Sequence, residues 1–517
     1  MLTTVRHFPA VQAMLALLLL LLFSSFYAHS IDHESFDVRQ HLSTVSRYGV
    51  VKDIVDNSYV PAHIPDGCTP IHLNLVARHG TRAPTKKRMR EMDRLATSLQ
   101  ALIADAKERN VSLDKVPGWL LGWTSPWKGK VKGGELIVKG EGELYDLGIR
   151  IRETYPNLLR DEYHPDVYAI KATQVPRASA SAVAFAMGLF SGRGSLGPGK
   201  HRAFAVATES RASDILLRFH DICQNYKNYR ESEEPAVEKL KEPIFDEITS
   251  ALSRRYELNF TRQDISSLWF LCKQEASVLD ITYQACGLFN STELALLEWT
   301  DDLELFVLKG YGKSLNYRMG LPLLQDVVES MELAIKAKEE SLPSGSYEKA
   351  RFRFAHAETV IPFSCLLGLF LEGSGYNRIQ KEEPLELPPK PPKKRTWRGS
   401  VVAPFGGNNM LVLYSCPSDK SSKYYVHVLH NEHPVPLLGC DNTDFCPFEV
   451  FKVTTVFLWV LWSNERILRP HLKHDYHALC NVKEPPLQKP APSKLSLLFG
   501  WLSSSSSGDV ESHGADL

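Results

Sequence analysis

Apolar and polar positions follow two different rhythms along this chain, and the change from one to the other sets out the elements. The stretch at 71–85, IHLNLVARHGTRAPT, reads as a buried strand that ends abruptly in a charged turn. Alternation places Ile71, Leu73, Leu75 and Ala77 on one face, and Val76 gives the other face apolar character. Residues 89–107 predict a helix with Met92, Leu95, Leu99, Leu102, Ile103 and Ala106 on one side. The stretch 110–134 is rich in Gly, Trp and Lys. Its Trp119, Trp123 and Trp127 recur every four residues, but Pro117, Pro126 and the glycines oppose a helix, so it reads as an exposed connection. Residues 141–154 predict a helix, 167–173 a second strand, 178–190 a helix of small residues and 203–207 a further strand. Between 214 and 340 the rhythm turns helical, with long amphipathic runs at 236–256, 293–309 and 323–338. Strand signals return at 346–355, followed by a helix at 362–371 that has Pro near its start. Residues 380–395, rich in Pro and Lys, read as a linker or surface loop. A strand, turn and strand are expected over 401–414 around Phe405-Gly406-Gly407, and another strand at 424–429. The pattern divides the chain into an α/β core at 31–213 and 341–483 with an inserted α-helical subdomain at 214–340. The tail at 484–517, rich in Pro and Ser, is expected to be disordered.

Charge and the N-terminus narrow the class. Lys+Arg and Asp+Glu stand at 60 each, so no global field favours nucleic acid, and affinity for a polyanion must come from a local basic pocket. Arg6 precedes an apolar run at 13–23 of the length of a secretory leader, and Ala28-His29-Ser30 supplies small residues for cleavage. Residues 1–30 are therefore expected to be a signal peptide, with a signal anchor as the alternative and no membrane span after cleavage. The secretory route permits disulfides among the 9 cysteines, which show no paired zinc spacing. It also makes acceptors of the sequons at Asn110, Asn259 and Asn290. The final residues are not an ER-retention signal, so secretion is the default destination, with vacuole, wall and ER lumen open.

Candidate chemistry gathers at strand ends, where open α/β sheets bind ligands. The first strand delivers Arg78, His79 and Arg82 around Gly80, with Pro84 after them. Guanidiniums match phosphate oxygens, and histidine is the one side chain here that could attack phosphorus. Lys86 and Lys87 follow directly and could add phosphate contacts. The second strand is followed by Arg177 at a helix start, whose amides also favour an anion. The third predicted strand end delivers His356 and Glu358. No spacing of Asp, Glu and His suggests a metal, and no cofactor is expected.

The pattern Arg-His-Gly-x-Arg-x-Pro at 78–84, with His-Ala-Glu at 356–358, resembles the histidine acid phosphatases. RHGTRAPTKK, ATESRASDILLRF at 207–219 and KGYG at 309–312 look like the multiple inositol polyphosphate phosphatases, the phytase-active branch. The resemblance covers 68–480 and implies a histidine-phosphatase-like α/β sandwich with an inserted helical subdomain. It further implies that His79 is phosphorylated, that Arg78, Arg82, Arg177 and His356 hold the phosphate, and that Glu358 protonates the leaving group. A cationic cage would lower the pKa of His79, and a protonated Glu358 would favour acidic conditions. The family pattern pairs Cys68 with Cys416, Cys223 with Cys480, Cys272 with Cys286 and Cys440 with Cys446, leaving Cys365 as a buried thiol. Against that pattern the apolar run at 453–467 reads as an insertion before Cys480. The expected activity is hydrolysis of phytate and other inositol polyphosphates, which are small-molecule substrates. Alternatives are the same mechanism on 2,3-bisphosphoglycerate or broad monoesters, or an inactive anion-binding glycoprotein. Nothing in the chain sets the oligomeric state.

Overall fold

Strand β1 (Thr69–Arg78) is buried from Ile71 to its end, so it has to lie inside a sheet covered on both faces. The computed structural model describes residues 36–54, 59–371, 373–380, 385, 387–392, 395–417, 422–453 and 472–481. The expected leader at 1–30, the tail at 484–517 and all but the first residue of the run at 453–467 lie outside them.

After β1 come α1 (Lys86–Glu108), α2 (Val138–Thr154), β2 (Tyr168–Ala172) and α3 (Pro176–Leu189), which has Pro at its first turn. Next is α4 (Gln224–Tyr256), which starts well before the expected 236 and runs on through Pro235 and Pro243. Then follow α5 (Arg262–Gln274) and α6 (Ser291–Lys309), each opened by a capping box, Thr261 with Asp264 and Asn290 with Glu293. The chain continues with α7 (Leu321–Glu339), β3 (Ala350–Ala355), α8 (Ala357–Leu366), β4 (Asn408–Ser415), β5 (Tyr424–His430), β6 (His433–Pro434), β7 (Phe445–Pro447) and α9 (Leu472–Cys480).

The sheet order is β2-β3-β1-β4-β5-β6, with β7 also paired to β5. β2, β3 and β1 are mutually parallel, and β4 runs antiparallel to β1. Register brings their ends level. Ala172 of β2 lies beside Phe354 of β3, and Arg78 of β1 lies beside Ala355. Three carboxyl ends therefore open at one edge of the sheet.

Leu73, Leu75 and Ala77 face α2 and α3, which cross so closely that a Cβ on Gly188 would lie 1.9 Å from the Tyr145 carbonyl. Val76 faces α7 and α8. Ile71 joins Val76 on that face, against the alternation that put it with Leu73. The register shift between Pro70 and His72 turns it over. Between Phe219 and Glu339 every element is helical, yet these helices divide between two cores. α4, α5 and most of α6 pack with α1 and with Trp123 and Trp127, whereas α7 covers the sheet.

Under α7 a buried polar network ties helix to sheet. Arg353 is fully buried, donating from Nε to Asp326 (2.9 Å) and from Nη1 to the Asn74 side chain (2.8 Å). Arg351 reaches the other oxygen of Asp326 at 2.7 Å. Removing the carboxylate leaves a buried guanidinium without its counter-charge. Asp326→Ala is expected to destabilise the fold by about 3 to 5 kcal/mol, to be measured by denaturant unfolding.

Three expected elements take another form. Residues 203–207 contribute a single bridge, Ala207 to Lys171, because the Tyr163 hydroxyl binds both backbone groups of Ala205, at 2.9 and 3.2 Å. Within 401–414 the first strand is replaced by a short helix, Gly399–Val402, and the Phe405–Gly407 turn closes over the end of β1. The helix expected from 362 begins at Ala357, directly after His356, with Pro362 inside it. Disulfides join Cys68 to Cys416, Cys223 to Cys480, Cys272 to Cys286 and Cys440 to Cys446, and Cys365 is a buried free thiol. Asn110, Asn259 and Asn290 are all exposed.

Candidate active site

The site is assembled where the three parallel strands end. β1 delivers Arg78 and His79, β2 leads into Thr173 and Arg177 on α3, and β3 leads into His356, the cap residue of α8. Glu358 follows in the first turn of α8. Helix starts from α3 and α8 thus meet the same space, which favours negative charge there.

The His79 loop is clamped from several sides. The His79 amide donates to the Ala355 carbonyl (3.0 Å), and the His79 carbonyl accepts from the Gly406 amide (3.0 Å). Gly80 is required by close approach: a Cβ there would lie 2.3 Å from the Gly140 carbonyl. Its amide donates to Ser181 Oγ (3.1 Å), and the Thr81 amide donates to the Glu143 carboxylate (2.8 Å).

His79 is almost wholly buried, at 2% exposure. Its Nδ1 lies 2.9 Å from the Gly80 carbonyl, which can only accept, so Nδ1 carries the proton and Nε2 keeps its lone pair. Burial, then the charges of Arg78 and Arg177, hold its pKa well below that of free imidazole. The nitrogen is therefore nucleophilic in mild acid.

Around it the arginines are held but not satisfied. Arg78 Nη1 donates to the carbonyls of Ala403 (2.8 Å) and Thr44, and its guanidinium stacks over Phe405 at 4.4 Å. Arg82 Nη1 donates to the Ala83 carbonyl at 2.9 Å. The buried Nε atoms of Arg78, Arg82, Arg177 and Arg218 all lack an acceptor. Burial, then the neighbouring Arg82 charge, lowers the pKa of Arg78 to about 9 and of Arg177 to about 10, so both stay cationic at neutral pH.

His356 makes the same point. Thr173 Oγ1 and Arg218 Nη1 each approach its Nε2 at 3.0 Å, and Arg177 Nη2 approaches its Nδ1 at 3.3 Å. A neutral imidazole has one acceptor nitrogen, so with either tautomer one guanidinium faces an N–H. Such a surplus of buried donors fits a tetrahedral oxyanion. Glu358 pairs with Lys309 at 2.9 Å. Burial raises its pKa, but Lys309, His220 and His356 outweigh that and hold the carboxyl well below its usual range.

The structure thus brings together Arg78, His79, Arg82, Arg177, His356 and Glu358. Lys86 and Lys87 are exposed on the first turn of α1, at the rim and outside the cage. Arg218, Lys309, Thr173 and His220 join the site without having been singled out from the sequence. Arg218 and Lys309 do fall in the stretches 207–219 and 309–312, but nothing there marks a strand end. His220, buried with its ring 6.5 Å from His356, has a pKa lowered to about 4 by burial, with Arg218 and Lys309 adding to the effect.

Over 437 residues the chain is 28% identical to multiple inositol polyphosphate phosphatase 1 of Dictyostelium discoideum, a match spanning 75% of this chain and 66% of that protein. The crystal structure of the phytase from D. castellii superposes with a TM-score of 0.62 at 17% identity, over 92% of this chain and 93% of that one. The Bifidobacterium longum multiple inositol polyphosphate phosphatase complexed with inositol hexasulfate gives 0.56 at 18% identity, over 83% of this chain and 100% of that one. These two likenesses concern the fold. The model of the histidine phosphatase superfamily (branch 2) matches residues 71–431, from β1 past β5 and including every residue of the cage, and the chain belongs to that family.

Proposed function

We propose that this enzyme hydrolyses phosphomonoesters of phytate and other inositol polyphosphates through a phosphohistidine on His79. The observation that carries the reading is a buried imidazole with its Nδ1 proton committed to Gly80, facing guanidiniums with unsatisfied donors. In the first step Nε2 attacks phosphorus and the bond to the ester oxygen breaks. Arg78, Arg82, Arg177, His356 and Arg218 hold the equatorial oxygens, where charge spreads in the transition state. Glu358 gives a proton to the departing alkoxide. In the second step water attacks the phosphohistidine, Glu358 takes a proton from that water, and the phosphorus–nitrogen bond breaks to release phosphate.

Lys309 holds Glu358 ionised, and the negative charge of a phosphorylated substrate opposes the surrounding cations and favours the protonated carboxyl. Removing the Lys309 charge raises the Glu358 pKa. Activity that needs protonated Glu358 is lost as pH rises through that pKa. In Lys309→Met the alkaline limb of kcat/KM is therefore expected to move up by about one pH unit, with a raised KM from the lost cation. A pH profile of both forms checks the sign.

The names of the relatives and the inositol hexasulfate in the Bifidobacterium longum structure support the substrate class. Lys86 and Lys87 suit further phosphates at the rim. The leader-like N-terminus, the exposed sequons and the disulfides support entry to the secretory route, and no helix among the described residues is long and apolar enough to cross a membrane.

Phosphate release from phytate, 2,3-bisphosphoglycerate and an aryl phosphate, from acidic to neutral pH, tests the reading. Preferred release from phytate is the expected result. Release from the other two alone removes the substrate assignment and keeps the mechanism. Release from none removes both.

A further inference from the structure

Residues 116–134 carry Lys128, Lys130 and Lys132 and not one Asp or Glu; the first carboxylate after them is Glu135. The segment is built rather than loose. Trp123 and Trp127 are sunk into the helical core, at 7% and 6% exposure. The Lys128 amide donates to the Ser125 carbonyl and the Lys130 amide to the Trp127 carbonyl, both at 3.1 Å, with Gly129 turning the chain at a φ of 75°.

Its far end is sewn to the catalytic loop. The Gly134 amide donates to the Pro84 carbonyl and the Ala83 amide to the Glu135 carbonyl, both at 2.9 Å. Arg177 Nη1 reaches the Gly134 carbonyl at 3.5 Å. A Cβ on Gly133 would lie 2.7 Å from the Pro84 carbonyl oxygen and 3.1 Å from the Lys86 amide nitrogen, so the strip runs flush against the start of α1. The three lysine side chains are exposed, and among the described residues none of them has an ion pair.

We propose that Lys128, Lys130 and Lys132 form an outer rim that binds the non-reacting phosphates of a multiply phosphorylated substrate while one phosphate occupies the His79 cage. The proposal rests on the polyphosphate reading above and says which part of the chain would distinguish such a substrate from a simple monoester. Ammonium groups are hydrated point charges, so the rim acts through a field that salt weakens.

The test is calorimetric titration of the full mature protein with inositol hexasulfate and, separately, with inorganic phosphate, at low and high salt. In K128S/K130S/K132S, hexasulfate is expected to bind about tenfold more weakly and with less salt dependence, while phosphate binding stays as in the wild type. K128R/K130R/K132R keeps the charge and should keep the affinity. Unchanged hexasulfate binding overturns the rim, and so does an equal weakening for both ligands, which would place the effect in the cage. Hexasulfate binding no tighter than phosphate in the wild type overturns it too. Turnover of phytate without any dependence of hexasulfate binding on the lysines would remove the rim and spare the substrate reading. Dependence on the lysines without phytate turnover would do the reverse.

Discussion

His79→Ala is expected to lower phosphate release by about four orders of magnitude or more, whatever the ester. Substrate choice does not matter, because in the proposed mechanism every ester passes its phosphoryl group to the same nitrogen. No neighbour can take over. The Nε2 of His356 is engaged by Thr173 and Arg218, and a guanidinium faces its other nitrogen. His220 lies beyond His356, with its Nδ1 buried. Binding should survive, since the arginine cage is anchored by carbonyls of Ala403, Thr44 and Ala83 and not by the imidazole. The variant should therefore bind inorganic phosphate while turning over nothing. Quenching turnover of phosphate-labelled substrate in alkaline denaturant should show protein-bound label in the wild type that is base-stable and acid-labile, and none in the variant. Residual activity within about tenfold of wild type would mean that water attacks phosphorus directly and that His79 only binds.

The proposed nucleophile was legible as a candidate because its signals are local. A buried strand, Gly80 and two arginines lie within a few residues of one another, and strand-end placement gives them a common destination. Arg177 and the His356–Glu358 pair could be read for the same reason, since each directly follows a strand parallel to β1. Arg218 and Lys309 could not. They arrive at the residue capping the short helix Phe219–Ile222 before α4 and at the end of α6, and only packing against α8 brings them in. Periodicity within a helix says nothing about which far-off strand its last residue will meet. The same limit explains the core. Helical periodicity showed α1 and α4 as amphipathic, but that their apolar faces would meet in one core with Trp123 and Trp127 of the connecting stretch, while α7 turned to the sheet, is tertiary information. Ile71 and the stretch 203–207 mark a smaller limit. A register shift and one tyrosine hydroxyl outweigh a correct alternation.

Replacing Glu358 should have the second largest effect, and its size should depend on the leaving group. An inositol alkoxide is a strong base and leaves poorly without a proton. Glu358→Gln is therefore expected to cut kcat on phytate by about two to four orders of magnitude. A nitrophenolate leaves unaided, so the first step on the aryl ester should lose far less. In the proposed mechanism Glu358 is also the base for the attacking water, and that second step remains crippled with either ester. Rapid mixing of the variant with the aryl phosphate should then give a burst of phenol close to one equivalent per site, followed by slow turnover, with phosphohistidine accumulating. The charge change works in the same direction. The neutral amide would leave Lys309 without the carboxylate that Glu358 holds 2.9 Å away, adding positive charge to the cage and tightening phosphate. KM for phytate should fall along with kcat. Equal losses on both esters with no burst would show that Glu358 acts on binding alone, and the donor of the proton would have to be sought among its titratable neighbours, His220 first.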